Sequence, residues 1–449
     1  MKKNYMKTKT SNLYRLVVFM LTLGSMLNGQ SYFSALLTEP AAAGNSRDMA
    51  LAGANTSEFS GAVNTFNNPA NQSAFSGLEL SGGFFAVGMN ESRSYRAIDQ
   101  FGDRVTDNIY VVSQGSQKAF SGGVSWGTGR LGMSLASQPY ATPTFHYKEE
   151  IRGNLSSSNI VRDPLVGYHH VDQTGVIQGT GGSIGTAFGS WSVGLGLRFL
   201  HGIGLENKYG VSVIDSADIS ALASSVTFFN SETWSLDNTP LVTSLGLFKD
   251  FGLHWRFSAS YQTGVTIEST RQGAIPMYDS TMFYPLVSWA SDTMRIATDI
   301  PARLEIGLRM KPSNPLPTSV YVSLAYQDWS KYELSYLDSL ADGTSSFNFP
   351  LHESFTISGG IEHWVTDQVP FRAGFSWMES PIAGELAQSR FSAGSGWVNG
   401  PLRFDVAMQI ASIQYSFEDI FAPVGLAAND REYVRETKTK YSISVSYSL

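Results

Sequence analysis

The sequence predicts an all-β fold: a 14-stranded antiparallel transmembrane β-barrel with an N-terminal plug (hatch) inside the lumen. Three observations predict it. Apolar and polar side chains alternate over long stretches, the number of such stretches is even, and long connections alternate with short ones. The clearest stretch is residues 251–262, FGLHWRFSASYQ, where aromatic side chains share one face and polar ones, including His254 and Arg256, share the other. Such a strand exceeds the five or six residues usual in soluble sheets and suits a tilted membrane crossing.

Composition excludes several classes of protein. The chain has 449 residues, a formal net charge of -7 and no cysteine. An acidic balance without a Lys/Arg cluster beyond the N-terminus predicts no nucleic-acid partner. The absence of cysteine excludes a disulfide scaffold and a thiol metal site, and we expect neither a cofactor nor a metal.

Residues 1–29 have the layout of a secretory signal peptide. Basic residues precede the apolar run 16–23, and small residues follow it up to Gly29, near which we expect cleavage. The run is too short for a bilayer-spanning helix, and no later stretch approaches that length. A mature chain of two-faced strands is either a secreted all-β protein or a barrel of the bacterial outer membrane.

Residues 30–77 do not show the strand pattern. They are rich in Ala, Gly, Asn and Ser and end near the turn-forming Asn68, Pro69 and Ala70. A segment of about forty residues is long enough to block the bore of a fourteen-stranded barrel, so we assign 30–77 as the hatch. A flexible leader is the alternative.

Residues 78–449 are predicted to form the barrel, and each strand rests on the same alternation. The predicted strands are 78–89, 118–127, 129–140, 178–188, 191–201, 241–249, 251–262 continuing to about 267, 300–310, 319–332, 353–364, 371–377, 390–398, 402–410 and 437–449. An even number suits a closed antiparallel barrel.

The connections separate two rims. Long loops are predicted at 91–117, 141–177 and 202–240, and tight turns at Thr128 and Asp250. Long extracellular loops and short periplasmic turns are typical of outer-membrane barrels, whereas a sandwich would not enforce this order.

Several short motifs occur in a consistent order along the chain. They are Ser46-Arg47-Asp48-Met49, Gly53-Ala54, Asn68-Pro69-Ala70, Ile300-Pro301-Ala302-Arg303-Leu304, Asp328-Trp329-Ser330-Lys331-Tyr332, Gly359-Gly360-Ile361-Glu362-His363 and Phe371-Arg372-Ala373-Gly374-Phe375. In this order the chain resembles the FadL-like outer-membrane transporters of long-chain fatty acids and other hydrophobic compounds. One departure is the C-terminal Leu449, where such barrels usually end in an aromatic residue.

The resemblance implies passive uptake without a cofactor. Extracellular loops would capture a hydrophobic ligand such as a fatty acid, which would leave sideways into the outer-membrane lipids near residues 129–140. An alternative of another class is a secretion or assembly component, similar to the PorV-like components of type IX secretion, that binds protein partners. A general solute porin is a third reading, which a plug disfavours.

Two loops carry candidate capture residues. Residues 216–229 have apolar side chains at helical spacing after a possible N-cap. The candidate ligand-binding residues are Ile219, Leu222, Val226 and Phe229, together with Phe283 and Trp289 of the following loop. The alternative is that these residues only pack the loops over the barrel mouth.

The lumen carries candidate partners for a ligand carboxylate. They are Arg198, His254, Arg256 and Arg303, with Arg309, Arg372 and Arg403 also facing inward. The alternative, which we favour, is that these charges pair among themselves, with Glu305, Glu362 and Asp405 available as partners.

We predict no catalytic residue and no enzyme activity. The glycine-rich 127–132 lies in a hairpin without a following helix, and no Gly-x-Ser-x-Gly motif occurs.

Overall fold

A computed structural model of the chain describes residues 45–98, 101, 103–152, 165–213, 227–277, 288–313, 317–337, 346–347, 351–381, 387–418 and 431–449. The predicted signal peptide 1–29 lies outside these residues, as do Ile219, Leu222, Val226 and Phe283.

Within the described residues, twenty strands form one antiparallel sheet. They are β1 (Ser76–Ile98), β2 (Arg104–Thr128), β3 (Leu131–Ala141), β4 (Phe145–Arg152), β5 (Leu165–Phe188), β6 (Trp191–Val213), β7 (Thr227–Leu236), β8 (Leu241–Phe251), β9 (Trp255–Gln262), β10 (Val265–Met277), β11 (Ser288–Ile300), β12 (Arg303–Met310), β13 (Thr318–Asp328), β14 (Glu333–Tyr336), β15 (Ser346–Phe347), β16 (Glu353–Thr366), β17 (Val369–Glu379), β18 (Ala387–Asn399), β19 (Leu402–Glu418) and β20 (Arg431–Ser448).

Fourteen of these strands close the barrel, which confirms the predicted fold class. The circuit runs β1–β2–β3–β5–β6–β8–β9–β12–β13–β16–β17–β18–β19–β20 and returns to β1. Where the first and last strands meet, Leu449 N donates to the Leu78 carbonyl at 2.7 Å and Leu78 N donates to the Leu449 carbonyl at 3.1 Å. The non-aromatic C-terminal residue therefore still takes part in closure.

The remaining strands extend the wall at the end with the long connections. Short breaks at 142–144, 237–240, 263–264 and 301–302 separate a lower from an upper strand in one continuous course, for example β3 from β4. Above the breaks β4 pairs with β5, β7 with β6 and β10, and β11 with β10 and β14. The strands above the breaks have different neighbours from those below, because at each break the chain leaves the strand pairing of the lower wall.

Several predicted boundaries are wrong. Most of the predicted loop 91–117 is paired strand in β1 and β2, and the predicted loop 141–177 contains β4 and the start of β5. Thr227–Phe229, predicted to end a helix, lie in β7. Above the apolar band the apolar-out, polar-in alternation is not maintained: Lys118 and Ser116 of β2 face outward, while Ile267 of β10 is buried inside, so the period-two signal fades although backbone pairing continues.

The stretch 251–262 is interrupted rather than continuous. Phe251 ends β8, a turn follows, and Trp255 begins β9. Gly252 occupies this turn with a positive φ of 63°, a conformation that favours glycine. The predicted turn at Asp250 is therefore two residues early, because the alternation runs through the turn without a break.

Residues 45–75, called the N-terminal segment below, lie inside the barrel. Helix α1 (Ser46–Ala50) has Asn45 as its N-cap, and the 3-10 helix Pro69–Ala74 is capped by Asn68, whose side chain accepts from Ala70 N at 3.1 Å. Another 3-10 turn spans Ala62–Asn64. Among the described residues, no helix has both the length and the apolarity needed to cross a bilayer.

Inward-facing glycines surround the N-terminal segment on opposite walls. A Cβ on any of them would overlap the backbone or a polar side chain of the segment. They are Gly132, Gly185, Gly194, Gly246, Gly360 and Gly374. The segment is thus seated against the wall at backbone distance, and larger residues at these positions would displace it.

Candidate functional site

An internal cavity lies above the N-terminal segment. Its volume is about 270 Å³, and Asp48, Met49 and Gly53 of the segment form its floor. Its wall includes Tyr140 of β3 and Trp329 after β13. Burial raises the pKa of Asp48 to about 6, although Asn55 Nδ2 donates to its Oδ1 at 3.1 Å.

One wall of the upper lumen is apolar. A cluster of buried side chains comes from strands that are far apart in sequence, and it includes Ile177, Leu200, Val242, Ile267, Ile300 and Trp329. Ile300 and Trp329 also line the cavity, so the cluster and the cavity are continuous. The opposite wall is rich in hydroxyl and amide groups, among them Ser358, Ser376 and Gln409. The cavity therefore offers an amphiphile one apolar and one polar side.

Arg198 of β6 is a buried cation that lines this cavity. Its side chain is 5% exposed and lies between the rings of Phe66 and Tyr140, with Cζ 5.1 Å and 4.8 Å from their centroids. The Gln138 amide, oriented to satisfy both neighbours, accepts from Arg198 Nη1 at 3.2 Å and donates to the Val63 carbonyl.

Arg198 lacks a counterion in the part of the chain that the structure describes. No carboxylate forms an ion pair with it there, and its Nε has no hydrogen-bond partner. Gly179 leaves the space for the side chain, since a Cβ at that position would overlap Arg198. A buried guanidinium without an anion is costly, so an anionic group entering the cavity would be stabilised here.

Two of the other predicted lumenal residues are paired. Arg256 binds both carboxylate oxygens of Asp250, at 2.6 and 2.9 Å, and donates to the Ser57 carbonyl at 3.3 Å. Arg303 lines the cavity but pairs with Glu305 at 3.1 Å.

His254 does not face the lumen, which corrects the sequence prediction. It lies in the exposed turn between β8 and β9, where its Nδ1 is 3.0 Å from the Lys311 carbonyl oxygen. The sequence pattern placed His254 on the lumenal face of a strand because the alternation of apolar and polar residues continues through the turn.

An ion network joins the N-terminal segment to the wall. Arg47 donates to both carboxylate oxygens of Glu362 at 2.9 Å, and Arg372 donates to Glu362 at 2.6 Å and to Asp405 at 2.8 Å. These three wall residues and Arg47 are buried. The network fixes α1 to β16, β17 and β19.

Glu58 makes a second ionic connection. It pairs with Arg47 at 2.9 Å and with Arg309 of β12 at 3.2 Å. Burial alone would raise the pKa of Glu58, but the charges of Arg47 and Arg309 outweigh it and lower the pKa to about 2.

The predicted hatch motif contacts the opposite wall. Asn68 Nδ2 donates to the Leu247 carbonyl at 3.3 Å and to the Thr56 carbonyl at 2.9 Å. Pro69 and Ala70 rest on Gly194. The motif thus packs the segment against the wall and does not line the cavity.

The barrel wall has a gap beside the cavity. β2 pairs with β3 only from Gly122↔Ser137 down to Gly127↔Gly132, and with β4 only at Val111↔Glu149. Residues 112–121 of β2 therefore face residues 138–148 without ladder pairing. We call this region the seam. Both of its edges keep their other neighbours, β1 and β5.

Two prolines explain where the ladder stops. Pro139 ends regular pairing on β3, where the register with β5 also shifts, and Pro143 lies in the break before β4. Neither has a backbone N–H to donate, and proline is confined to strand edges and bulges. Pro139 and Tyr140 also line the cavity, so cavity and seam share a wall.

The seam starts where the apolar outer surface ends. Outward-facing residues of β6 from Trp191 to Phe199 are apolar and at least 40% exposed at alternate positions. On β2, Phe120 is 70% exposed, and the next outward residues are Lys118, Ser116 and Gln114. A hydrophobic band that ends at Phe120, with three polar outward residues directly above it, places the lower end of the seam at the membrane boundary.

The predicted loop residues are not brought together by described contacts. Phe229 lies in β7 and Trp289 in β11, where it is opposite Pro276, but their side chains are outside the described part.

No known family profile matches the sequence, and no curated protein sequence matches it. Solved structures do match. A FadL homologue of Pseudomonas aeruginosa aligns with a TM-score of 0.62 and 15% identity, over 91% of this chain and 99% of that one. The fold is FadL-like.

Two further structures have this fold. The toluene transporter TbuX of Ralstonia pickettii aligns with a TM-score of 0.56 and 13% identity, over 90% of this chain and 98% of that one. The toluene transporter TodX of P. putida aligns with a TM-score of 0.56 and 12% identity, over 90% and 97%. These barrels and this chain share the fold.

Sequence reasoning missed three residues of this FadL-like barrel that define the Arg198 site. They are Gln138 and Tyr140 of β3 and Gly179 of β5, the strand that pairs with both β3 and β6. The signal available was the pair of prolines at 139 and 143, which marks an interrupted strand but not its contents.

Proposed function

We propose that this chain is a passive outer-membrane transporter of hydrophobic small molecules with an acidic head, of which long-chain fatty acids are one class. Capture occurs from the outside, the molecule rests in the cavity, and release is sideways through the seam. The N-terminal segment acts as a hatch that stays in place. FadL-like neighbours that include toluene transporters support a hydrophobic cargo.

The observation that carries this proposal is the position of the cavity. Its floor is the N-terminal segment, seated on glycines and held by the Arg47 network. Its side wall includes Pro139 and Tyr140, which belong to the edge of the seam. The wall beside the seam can therefore rearrange more readily than the N-terminal segment that forms the floor.

Arg198 supports an acidic head group. A carboxylate would supply the anion and the acceptor that the guanidinium lacks, while an acyl chain would lie along the apolar cluster. A plain hydrocarbon would leave the charge uncompensated.

Lipid extraction of the purified barrel, followed by mass spectrometry, tests the proposal. We expect a co-purifying amphiphile, and oleate added to the barrel should displace it. Cells that lack the chain should take up oleate more slowly than cells that express it. A stoichiometric protein partner with no bound amphiphile would instead favour the secretion role.

A further inference from the structure

The seam is closed by side chains where the backbone ladder is missing. Gln178 of β5 reaches across it: its Nε2 donates to the Phe120 carbonyl of β2 at 3.3 Å and to Ser137 Oγ of β3 at 3.0 Å. Gln178 is 9% exposed. One amide therefore ties β2 to β3 and β5 directly above the last ladder pair.

Higher in the seam, a histidine fills the space between the strands. The ring of His146 on β4 lies against Gly115 of β2, and an ideal Cβ on Gly115 would be 3.3 Å from His146 Cβ and closer still to the ring. His146 Nδ1 also contacts a carboxylate oxygen of Asp172 of β5. Its ring can occupy this position only because residue 115 has no side chain.

A third contact sits next to this histidine. Lys148 N donates to Ser113 Oγ at 3.3 Å. Beyond it a single ladder pair, Val111↔Glu149, joins β2 to β4. Across the seam the described bridging contacts thus depend on side chains, which change rotamer far more readily than a β-ladder breaks.

We propose that Gln178 and His146 are the residues that hold the lateral seam shut and must move for a molecule to leave. This inference rests on the proposed function, because it names what controls the same exit. Gln178 releases the lower end at the membrane boundary, and withdrawal of the His146 ring from Gly115 frees the upper end. Asp172 is a positioning residue, since it acts through His146.

A reversible cross-link tests this directly, because the native chain has no cysteine. The pair Gly115→Cys/His146→Cys has a Cβ–Cβ separation of 3.3 Å, close to the range of a disulfide. The control pair Ala373→Cys/Ala393→Cys lies opposite on β17 and β18, where the ladder is continuous and both residues are exposed. We expect both disulfides to form.

With the seam cross-linked, the purified barrel should still bind oleate, while oleate transport into proteoliposomes falls to background and returns on reduction. The control pair should bind and transport oleate as the unmodified barrel does. Transport at the unmodified rate through a fully oxidised seam pair would overturn the proposal. So would failure of the seam pair to oxidise when the control pair does.

Hydrogen exchange separates this inference from the proposed function. Gln178→Ala should raise the exchange rate of amides in 118–122 roughly fivefold, the effect of losing one hydrogen bond of ordinary strength. Residues 371–375 should be unchanged. If the unmodified barrel neither binds nor transports oleate or toluene, the proposed function fails. In that case hydrogen exchange alone tests whether Gln178 holds the seam shut. An unchanged exchange rate at 118–122 in Gln178→Ala would reject this role.

Discussion

Arg47 of the N-terminal segment and Glu362 of β16 form a two-point ion pair, with both nitrogen–oxygen distances at 2.9 Å. Both residues are buried, and Arg372 completes the site from the neighbouring strand. The pair links a segment near the start of the chain to a strand more than three hundred residues later. It gives the segment a fixed position below the cavity.

Replacing Arg47 should loosen the segment. Arg47→Ala leaves Glu58 and Glu362 with fewer counterions in a buried site, which we expect to cost about 3 kcal/mol. Hydrogen exchange at residues 46–54 should accelerate, and ion conductance in planar bilayers should rise. Arg47→Lys keeps the charge but not the two-point geometry and should give an intermediate result. Conductance and exchange that match the unmodified barrel would contradict this role.

Glu58 should make the docking of the segment sensitive to acid. Its pKa is lowered to about 2 by Arg47 and Arg309 despite burial, below the ordinary value of 4.5. The stabilisation is therefore complete above about pH 4.5 and is lost as the pH falls towards 2.

The matched variant is Glu58→Gln. Thermal unfolding followed by circular dichroism should show a lower midpoint for it at pH 7, and a smaller further loss as the pH falls from about 4.5 to about 2. An equal acid loss in both proteins would show that other carboxylates carry the effect.

The close approach of the inward-facing glycines to the N-terminal segment predicts that alanine substitutions at two adjacent positions differ in their effect on stability. Gly360→Ala brings a Cβ to 2.9 Å from the Leu51 carbonyl oxygen, whereas Gly359→Ala meets its nearest atom at 4.0 Å. Overpacking of this kind costs about 1–3 kcal/mol. The heat-modifiable gel mobility of the folded barrel should be lost at a lower temperature for Gly360→Ala than for Gly359→Ala. Identical behaviour would mean that the segment can shift freely.

Arg198 should discriminate acids from neutral amphiphiles. Arg198→Met keeps an apolar side chain between Phe66 and Tyr140 but removes the charge. Oleate should bind roughly 10- to 100-fold more weakly, the range expected for a lost charged hydrogen bond, while oleyl alcohol binding stays the same. Isothermal titration measures both. An equal loss for acid and alcohol would assign Arg198 to packing alone.

The barrel and its strand number were predictable because lipid on one side and a polar lumen on the other impose a period of two. Trp191–Phe199 shows this pattern in both sequence and structure. The upper strands were missed because the apolar-out, polar-in alternation is not maintained there, as polar Lys118 faces outward and apolar Ile267 is buried inside. His254 was misplaced because a glycine turn happened to preserve the alternation.

The site was less predictable because it depends on contacts between distant positions. Nothing local shows that Arg198 would lack a carboxylate while Arg256 would find Asp250, since both are arginines on the polar face of a strand. The seam depends on which strands stop pairing, and alternation along one strand contains no information about its neighbours.

Uptake with the N-terminal segment locked in place tests the sideways route most directly. Ser46 Oγ and Ser442 Oγ are 2.9 Å apart, so Ser46→Cys/Ser442→Cys should form a disulfide that ties the segment to β20. Oleate transport should be the same under oxidising and reducing conditions, because the molecule leaves through the wall. Transport that stops on oxidation and returns on reduction would show that the segment must move, and would contradict a lateral exit past a fixed hatch.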